Sequence, residues 1–305
     1  SEDLVKKLVK QDSQPNLLLI QTRRPEYVPA WLEPGSVTQI ALKPLSDDDI
    51  VQIAQKRLGA QSLPEVLIQQ VTERSGGNPL FAEEVVAFLR QEGAITVNDG
   101  VVLFDADLGA TSLPLSMQGL LTARIDRLKP EQRHLLQVAA AIGRRFAPAL
   151  LSVVLGHSVD LDQEMQRLRD LDIVHRDPRT EDFAFKHVLL REAVYQGLLS
   201  QARTDLHLAI ANAVQERSAG RLIEVAETLA YHYSLTERKD LAFQFAAMAG
   251  AKGLGIFSLG EANRFLTSAL KLYERDPTCA SDAQYVALLA DYALCSNVSL
   301  RVKTM

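Results

Sequence analysis

Apolar residues follow three different spacings along this chain, and each spacing predicts a different architecture. Leu17-Leu18-Leu19-Ile20 is an unbroken apolar run between the polar turn at Pro15-Asn16 and Gln21-Thr22. Such a run predicts a short strand buried on both faces of a parallel sheet. A second strand is expected at Val37 to Leu42, and a helix from about Glu2 to Lys10. Two strands and a helix cannot satisfy the backbone of a buried parallel strand. Residues 1–44 therefore read as the C-terminal remnant of an α/β core whose other strands precede them.

From Ser46 the spacing becomes helical. Ser46 and Asp49 have the spacing of a capping box ahead of Ile50, Ile53, Ala54 and Leu58, with Gly59 as the stop. Ser62 and Glu65 repeat the device, with Pro64 in the first turn and Gly76 as the stop. Asn78 caps a third helix, Pro79 holds its first position, and Phe81, Val85, Phe88 and Leu89 form its apolar face before Gly93. Residues 45–93 thus form a small helical bundle.

Ala94 to Phe104 alternates, and its Asn98-Asp99-Gly100 turn predicts a β-hairpin. Amphipathic helices follow over Ser116–Leu128, Pro130–Ile142, Pro148–Leu155 and Leu161–Leu171. Two short strands, Ile173–His175 and Phe183–Phe185, flank a turn with Pro178 and Arg179. Helices closed by such a ribbon describe a winged-helix domain over 94–200. Residues 201–305 read as helical pairs at Ala226–Tyr233, Leu241–Leu254, Gly260–Tyr273 and Ala283–Leu294. Gly250, Ala262 and Ala269 fall at the small positions of the roughly 34-residue tetratricopeptide hairpin. The array is expected to stop midway, because Leu300 to Met305 lacks the polar cap a solenoid needs. The fold class is mainly α, with an α/β NTPase sheet remnant, a helical lid bundle, a winged helix and a TPR-like α-solenoid.

Composition removes several classes of function. The 305 residues carry a net charge of −5, without the basic excess of an electrostatic nucleic-acid binder. No apolar run approaches the roughly 20 residues of a membrane span, and a cytoplasmic location is expected. Ser1-Glu2-Asp3-Leu4 carries neither an initiator Met nor a signal-peptide core, so the sequence is expected to be a segment of a longer chain. Cys279 and Cys295 have no metal or redox spacing and are expected to be reduced and mostly buried. The six histidines, His134, His157, His175, His187, His207 and His232, lack ligand spacing and are read as structural. The helix starting at Leu161 places Asp160, Asp162, Glu164, Asp170 and Asp172 around Arg167 and Arg169, which opposes contact with phosphates.

Leu17 to Tyr27, with the core Thr22-Arg23-Arg24-Pro25, resembles the sensor 1 strand of the signal-transduction ATPases with numerous domains, a branch of the AAA+ superfamily. Gly77-Asn78-Pro79-Leu80-Phe81-Ala82-Glu83-Glu84 is similar to the same family's G-x-P motif. Leu113 to Leu128 and Phe185 to Tyr195 look like the winged-helix part of its cyclase-linked group. The resemblance implies that Arg24 faces a γ-phosphate, with Arg23 as the alternative if the motif is shifted by one residue. It also implies that Pro79, with Gly77 and Asn78, lies near an adenine ring. The same Asn-Pro pair is equally an ordinary helix start. No phosphate loop occurs, and no apolar strand ends in an acidic pair. On this resemblance the chain begins just before the sensor 1 strand. ATP or ADP with Mg is expected in the intact parent and none in this segment, which has no catalytic or metal-binding residues of its own. Its partners would be an upstream ATPase core and an output domain in the same chain, with a protein partner possible on the repeats. Two alternatives stay open: a TPR-like protein-binding scaffold on a degenerate ATPase, and part of a LuxR-type regulator.

Overall fold

In the computed structural model of the protein, residues 18–24, 26–27, 29, 38–156 and 160–304 are described. They divide into two compact units, Ser1–Leu45 and Ser46–Met305. In the first unit the described residues form neither helix nor strand. Leu18 and Ile20 are exposed, as are Ile40 and Leu42, so the expected strands at Leu17–Ile20 and Val37–Leu42 are not formed over 18–20 and 38–42. The physical reason is the one that made them look incomplete: a parallel strand lacking hydrogen-bonded neighbours has nothing to hold its backbone or cover its side chains. The helix expected at Glu2–Lys10 lies outside the described residues.

The second unit is mainly helical. Helices α1 (Asp47–Leu58), α2 (Glu65–Ser75) and α3 (Pro79–Gln91) pack around Ile50, Ala54, Leu67, Val71, Val85, Phe88 and Leu89. The Ser46 box forms: Ser46 Oγ accepts from the Asp49 amide and Asp49 Oδ2 from the Ser46 amide, each at 3.2 Å. The Ser62–Glu65 box does not form. Pro64 itself takes the N-cap position with extended backbone, which leaves Ser62 two residues upstream of the cap. Gly59 and Gly76 end α1 and α2 in the left-handed region, where a Cβ would be strained.

Strands β1 (Ile95–Asn98) and β2 (Val101–Phe104) make the expected hairpin, with Asn98 opposite Val101 and both turn residues, Asp99 and Gly100, at positive φ. A short helix not expected from the sequence, α4 (Ala106–Ser112), follows. Next come α5 (Met117–Asp126), α6 (Pro130–Ile142), β3 (Arg145–Phe146), α7 (Pro148–Leu155), α8 (Leu161–Asp170), β4 (Val174–Arg176), β5 (Phe183–Phe185) and α9 (Val188–Gln196). The ribbon is three-stranded, in the order β3-β5-β4 and antiparallel throughout, where two strands were expected. The two residues of β3 are too short for an alternation to register. Phe146, Phe183 and Phe185 close the core between this sheet and the helices.

A second core runs from Ala141 through α10 (Ser200–Arg217), α11 (Ala226–Ser234), α12 (Lys239–Gly255), α13 (Leu259–Arg275) and α14 (Asp282–Thr304). Helices α11, α12 and α13 match the expected spans within a few residues, while α14 runs on past the expected end at Leu294. Small residues set the α12–α13 approach: Ala262 and Ala269 are fully buried, and a Cβ on Gly250 would lie 2.5 Å from Leu266 Cδ2. Among the aromatics of these helices Tyr233, Phe243 and Phe245 are buried, whereas Tyr231 and Phe257 are exposed. Both cysteines are free and buried. Among the described residues no helix is long and apolar enough to cross a membrane.

Candidate functional site

Arg23 and Arg24 belong to the first unit. The Arg23 guanidinium donates to the Tyr27 carbonyl and, at 3.2 Å, to Gln39 Oε1. The Tyr27 amide donates to the Arg24 carbonyl at 3.1 Å, closing a turn, and both arginines are exposed. Arg23 is thus engaged in holding its own loop, while Arg24 is exposed and closes the turn through its carbonyl.

Gly77, Asn78 and Pro79 belong to the second unit and form the entry to α3. Gly77 is buried with φ +75°, a conformation that favours glycine. Asn78 Oδ1 accepts from the Leu80 and Phe81 amides at 3.0 and 3.2 Å. Pro79 has no amide hydrogen, so the first amides of α3 are already used or absent. This helix start fits contact of the exposed Pro79 ring with a flat apolar group. It does not fit a phosphate cradle, which requires unpaired N–H groups.

Six residues further on, α3 enters a charged cluster that no spacing in the sequence reveals. Glu84 is 2% exposed and pairs with Arg124 of α5, itself 1% exposed and forty residues away in the chain. A second nitrogen of the Arg124 guanidinium donates to the Leu171 carbonyl at 2.6 Å. Gln91, at the end of α3, donates to the Arg124 carbonyl at 3.1 Å. Beside this pair Asp172, held at φ +59°, accepts from both Arg57 of α1 and Lys186. Lys186 also lies 3.7 Å from Glu83. His187, the N-cap of α9, brings Nε2 to 3.6 Å from Glu84 and 3.8 Å from Glu83.

Burial dominates the electrostatics here. It lowers the Lys186 pKa from the usual ammonium range, and the Arg57 charge pushes the same way. Burial likewise lowers Arg57, against the pull of Glu83. It holds His187 toward its neutral form, although Glu84 favours the charged one. His187 Nε2 and Arg124 Nε are buried without a hydrogen-bond partner among the described residues. With three carboxylates against three fixed cations, the cluster offers no activated nucleophile or paired acid and base. It is a joint that ties α1 and α3 to α5, to the turn before β4 and to the start of α9.

The cluster collects residues from three stretches singled out in the sequence: Glu83 and Glu84, Arg124, and Lys186 with His187. The sequence reading assigned chemistry to none of these five. The recurrence of charged residues inside otherwise apolar helical faces, such as Arg124 between Leu121 and Ile125, is the signal that could have found them.

Comparison with known proteins adds the following. Residues 46–103, the three-helix bundle and its hairpin, match a family model described as a domain of unknown function (DUF8739). A protein of Rhizobium meliloti (strain 1021), named "Uncharacterized protein R02095", is 28% identical over 283 residues, covering 89% of this chain and 26% of its own length. The chain therefore spans about a quarter of that relative. No solved structure matches.

Proposed function

We propose that this chain is the regulatory segment of a multidomain, nucleotide-dependent signal-transduction ATPase, with a nucleotide cyclase as the preferred output. In this reading α1–α3 are the lid, α5–α9 with the β3-β5-β4 sheet are a winged helix, and α10–α14 are TPR-like repeats. The observation that carries it is the convergence of the family-like stretches on the Glu84–Arg124–His187 joint. A hinge between lid and winged helix made of ion pairs has discrete arrangements and responds to a change of nearby charge more readily than an apolar seam. The length of the Rhizobium meliloti relative leaves room for a core and an output domain around such a segment.

ATP or ADP with Mg would supply phosphates whose state the segment reads. This chain's own part would be limited to Arg24, or Arg23, toward the γ-phosphate and the exposed Pro79 ring toward the base. Neither contributes a cradle, so hydrolysis requires residues outside the segment. Direct contact with nucleic acid or membrane has no place in this reading.

Two measurements test it. Calorimetric titration of MgATP and MgADP into the 305-residue chain should give no Kd tighter than about 1 mM, or about −4 kcal/mol, and steady ATP turnover by this chain would sink the reading. Determination of the coding sequence upstream of Ser1 should reveal a phosphate loop and a strand ending in an acidic pair. Their absence would leave the alternative, a repeat scaffold for another protein, which the exposed Ile256-Phe257 tip favours. A helix-turn-helix output in the downstream sequence, in place of a cyclase, would indicate the LuxR-type regulator.

A further inference from the structure

A cleft of about 470 Å³ opens between α11, α12 and α13, with Ile142 of α6 also lining it. That volume lies within the roughly 300–1,000 Å³ of small-molecule sites. One wall is apolar, made by Ala246, Phe265 and Leu272. His232, which is 2% exposed, also lines the cleft.

His232 ends a buried chain of polar groups. Its Nδ1 lies 2.8 Å from Nδ1 of His207, whose Nε2 lies 2.8 Å from the Tyr195 hydroxyl. The chain has two tautomeric orders, and in one of them the Tyr195 hydroxyl donates to His207 Nε2. His207 then donates through Nδ1 to His232, and the remaining hydrogen of His232 sits on Nε2. Burial lowers His207 to about 4 and His232 to about 3, so both rings are neutral at pH 7. His232 Nε2 has no hydrogen-bond partner among the described residues, and in that tautomeric order it presents its hydrogen from a ring that lines the cleft.

The cleft also carries a cation without a counterion. Arg264 lines it, sits 4.6 Å over the Phe265 ring, and has no carboxylate partner among the described residues. The cleft's own carboxylate, Glu227, is already paired with Lys252 at 2.9 Å. An unpartnered imidazole nitrogen, an exposed guanidinium without a counterion and an apolar surface together suit a ligand with an anionic acceptor at one end and an apolar body at the other, which selects the tautomer with its hydrogen on His232 Nε2.

We propose that this cleft binds a small carboxylate with an apolar body, its oxygens accepting from His232 Nε2 and from Arg264. Occupancy would close α11 on α13 and hold the Tyr195–His207–His232 chain in one tautomeric order, linking the helical pairs to α9. The proposal is independent of the nucleotide reading, because none of its residues belongs to the charged joint or to the α3 entry.

The test is titration of the full 305-residue chain with octanoate, benzoate and indole-3-acetate, and with octanamide and benzamide as uncharged counterparts. Binding is followed by calorimetry and by the imidazole nitrogen resonances. At least one carboxylate should saturate with a Kd below about 1 mM and shift the His232 Nε2 resonance, while its amide binds about tenfold more weakly or worse, a difference of about 1.4 kcal/mol. Arg264→Gln, at an exposed position, should cost a similar factor without moving the unfolding midpoint. Ser268→Trp, also exposed and lining the cleft, should abolish binding by filling it. The proposal is overturned if no carboxylate saturates below about 1 mM, if acid and amide bind equally, or if either variant binds like the parent chain.

Discussion

The Arg124 guanidinium is closed against the Glu84 carboxylate with both side chains almost wholly removed from solvent. Removing either partner leaves the other as an uncompensated buried charge, so Glu84→Ala and Arg124→Ala should each lose about 3–5 kcal/mol of unfolding free energy. Glu84→Gln keeps the shape and one acceptor and should lose less. The double variant Glu84→Leu with Arg124→Met should recover much of the single-variant loss. Urea denaturation of the four proteins measures this, and additive losses in the double variant would contradict the pairing.

The two buried histidines make stability depend on pH with a definite sign. Their pKa values in the folded state, about 4 for His207 and about 3 for His232, lie below the 6.5 of an unfolded chain. The unfolded state therefore binds more protons in mildly acidic solution. The stabilisation is fully present above about pH 6.5, and is lost as pH falls toward the folded values. The loss is about 1.4 kcal/mol per pH unit for each ring, or about 3–4 kcal/mol for the pair between pH 7 and pH 5. Denaturation at several pH values should show this slope, and it should flatten in His207→Gln with His232→Gln.

Gly253 of α12 lies against the backbone of α13. A Cβ there would meet Ala262 N at 3.0 Å and Ala262 Cα at 3.1 Å. Gly253→Ala gains about 1 kcal/mol of helix propensity, but overpacking against backbone costs about 1–3 kcal/mol. The net expectation is destabilisation, read as a lower thermal midpoint. Gly255, with open space around its Cβ position, is the control, and Gly255→Ala should stabilise.

Phe257 holds φ +57° while 80% exposed. A bulky residue in the left-handed region bears a backbone cost of about 1–2 kcal/mol, and here no burial offsets it. Phe257→Gly or Phe257→Asn should therefore leave stability unchanged or raise it by up to about 1 kcal/mol. A clear destabilisation would show that the ring packs against something in solution.

Local signals carried their meaning wherever one residue's own chemistry sufficed. Asn78 was readable as a cap because an amide oxygen two and three residues before free amides has one good use. The Asp99-Gly100 turn was readable because few residues accept positive φ. The failures share a cause. The run Leu17–Ile20 has the composition of a buried strand, yet over 18–20 no described residue pairs with it as a neighbouring strand. Pro64 displaced the expected Ser62 cap because a rigid φ decides where a helix can begin.

The site lay further from reach. Gly77, Asn78 and Pro79 stand together because they are consecutive, but Glu84, Arg124, Asp172, Lys186 and His187 meet only through the packing of α3 on α5 and α9. His207 and His232 show no ligand spacing, and become a hydrogen-bonded pair because α10 and α11 cross where both rings face inward.

By itself, then, the amino-acid sequence determined the helical character after Ser46, most helix boundaries, the hairpin and the small residues of the α12–α13 approach. These follow from caps, turns and periodicities acting within a few residues. Only the tertiary structure decided which charges are desolvated together, which histidine ring lines the cleft, and where a third strand joins the ribbon. Those outcomes depend on energies between groups tens of residues apart, set by burial and distance and leaving no mark on local spacing.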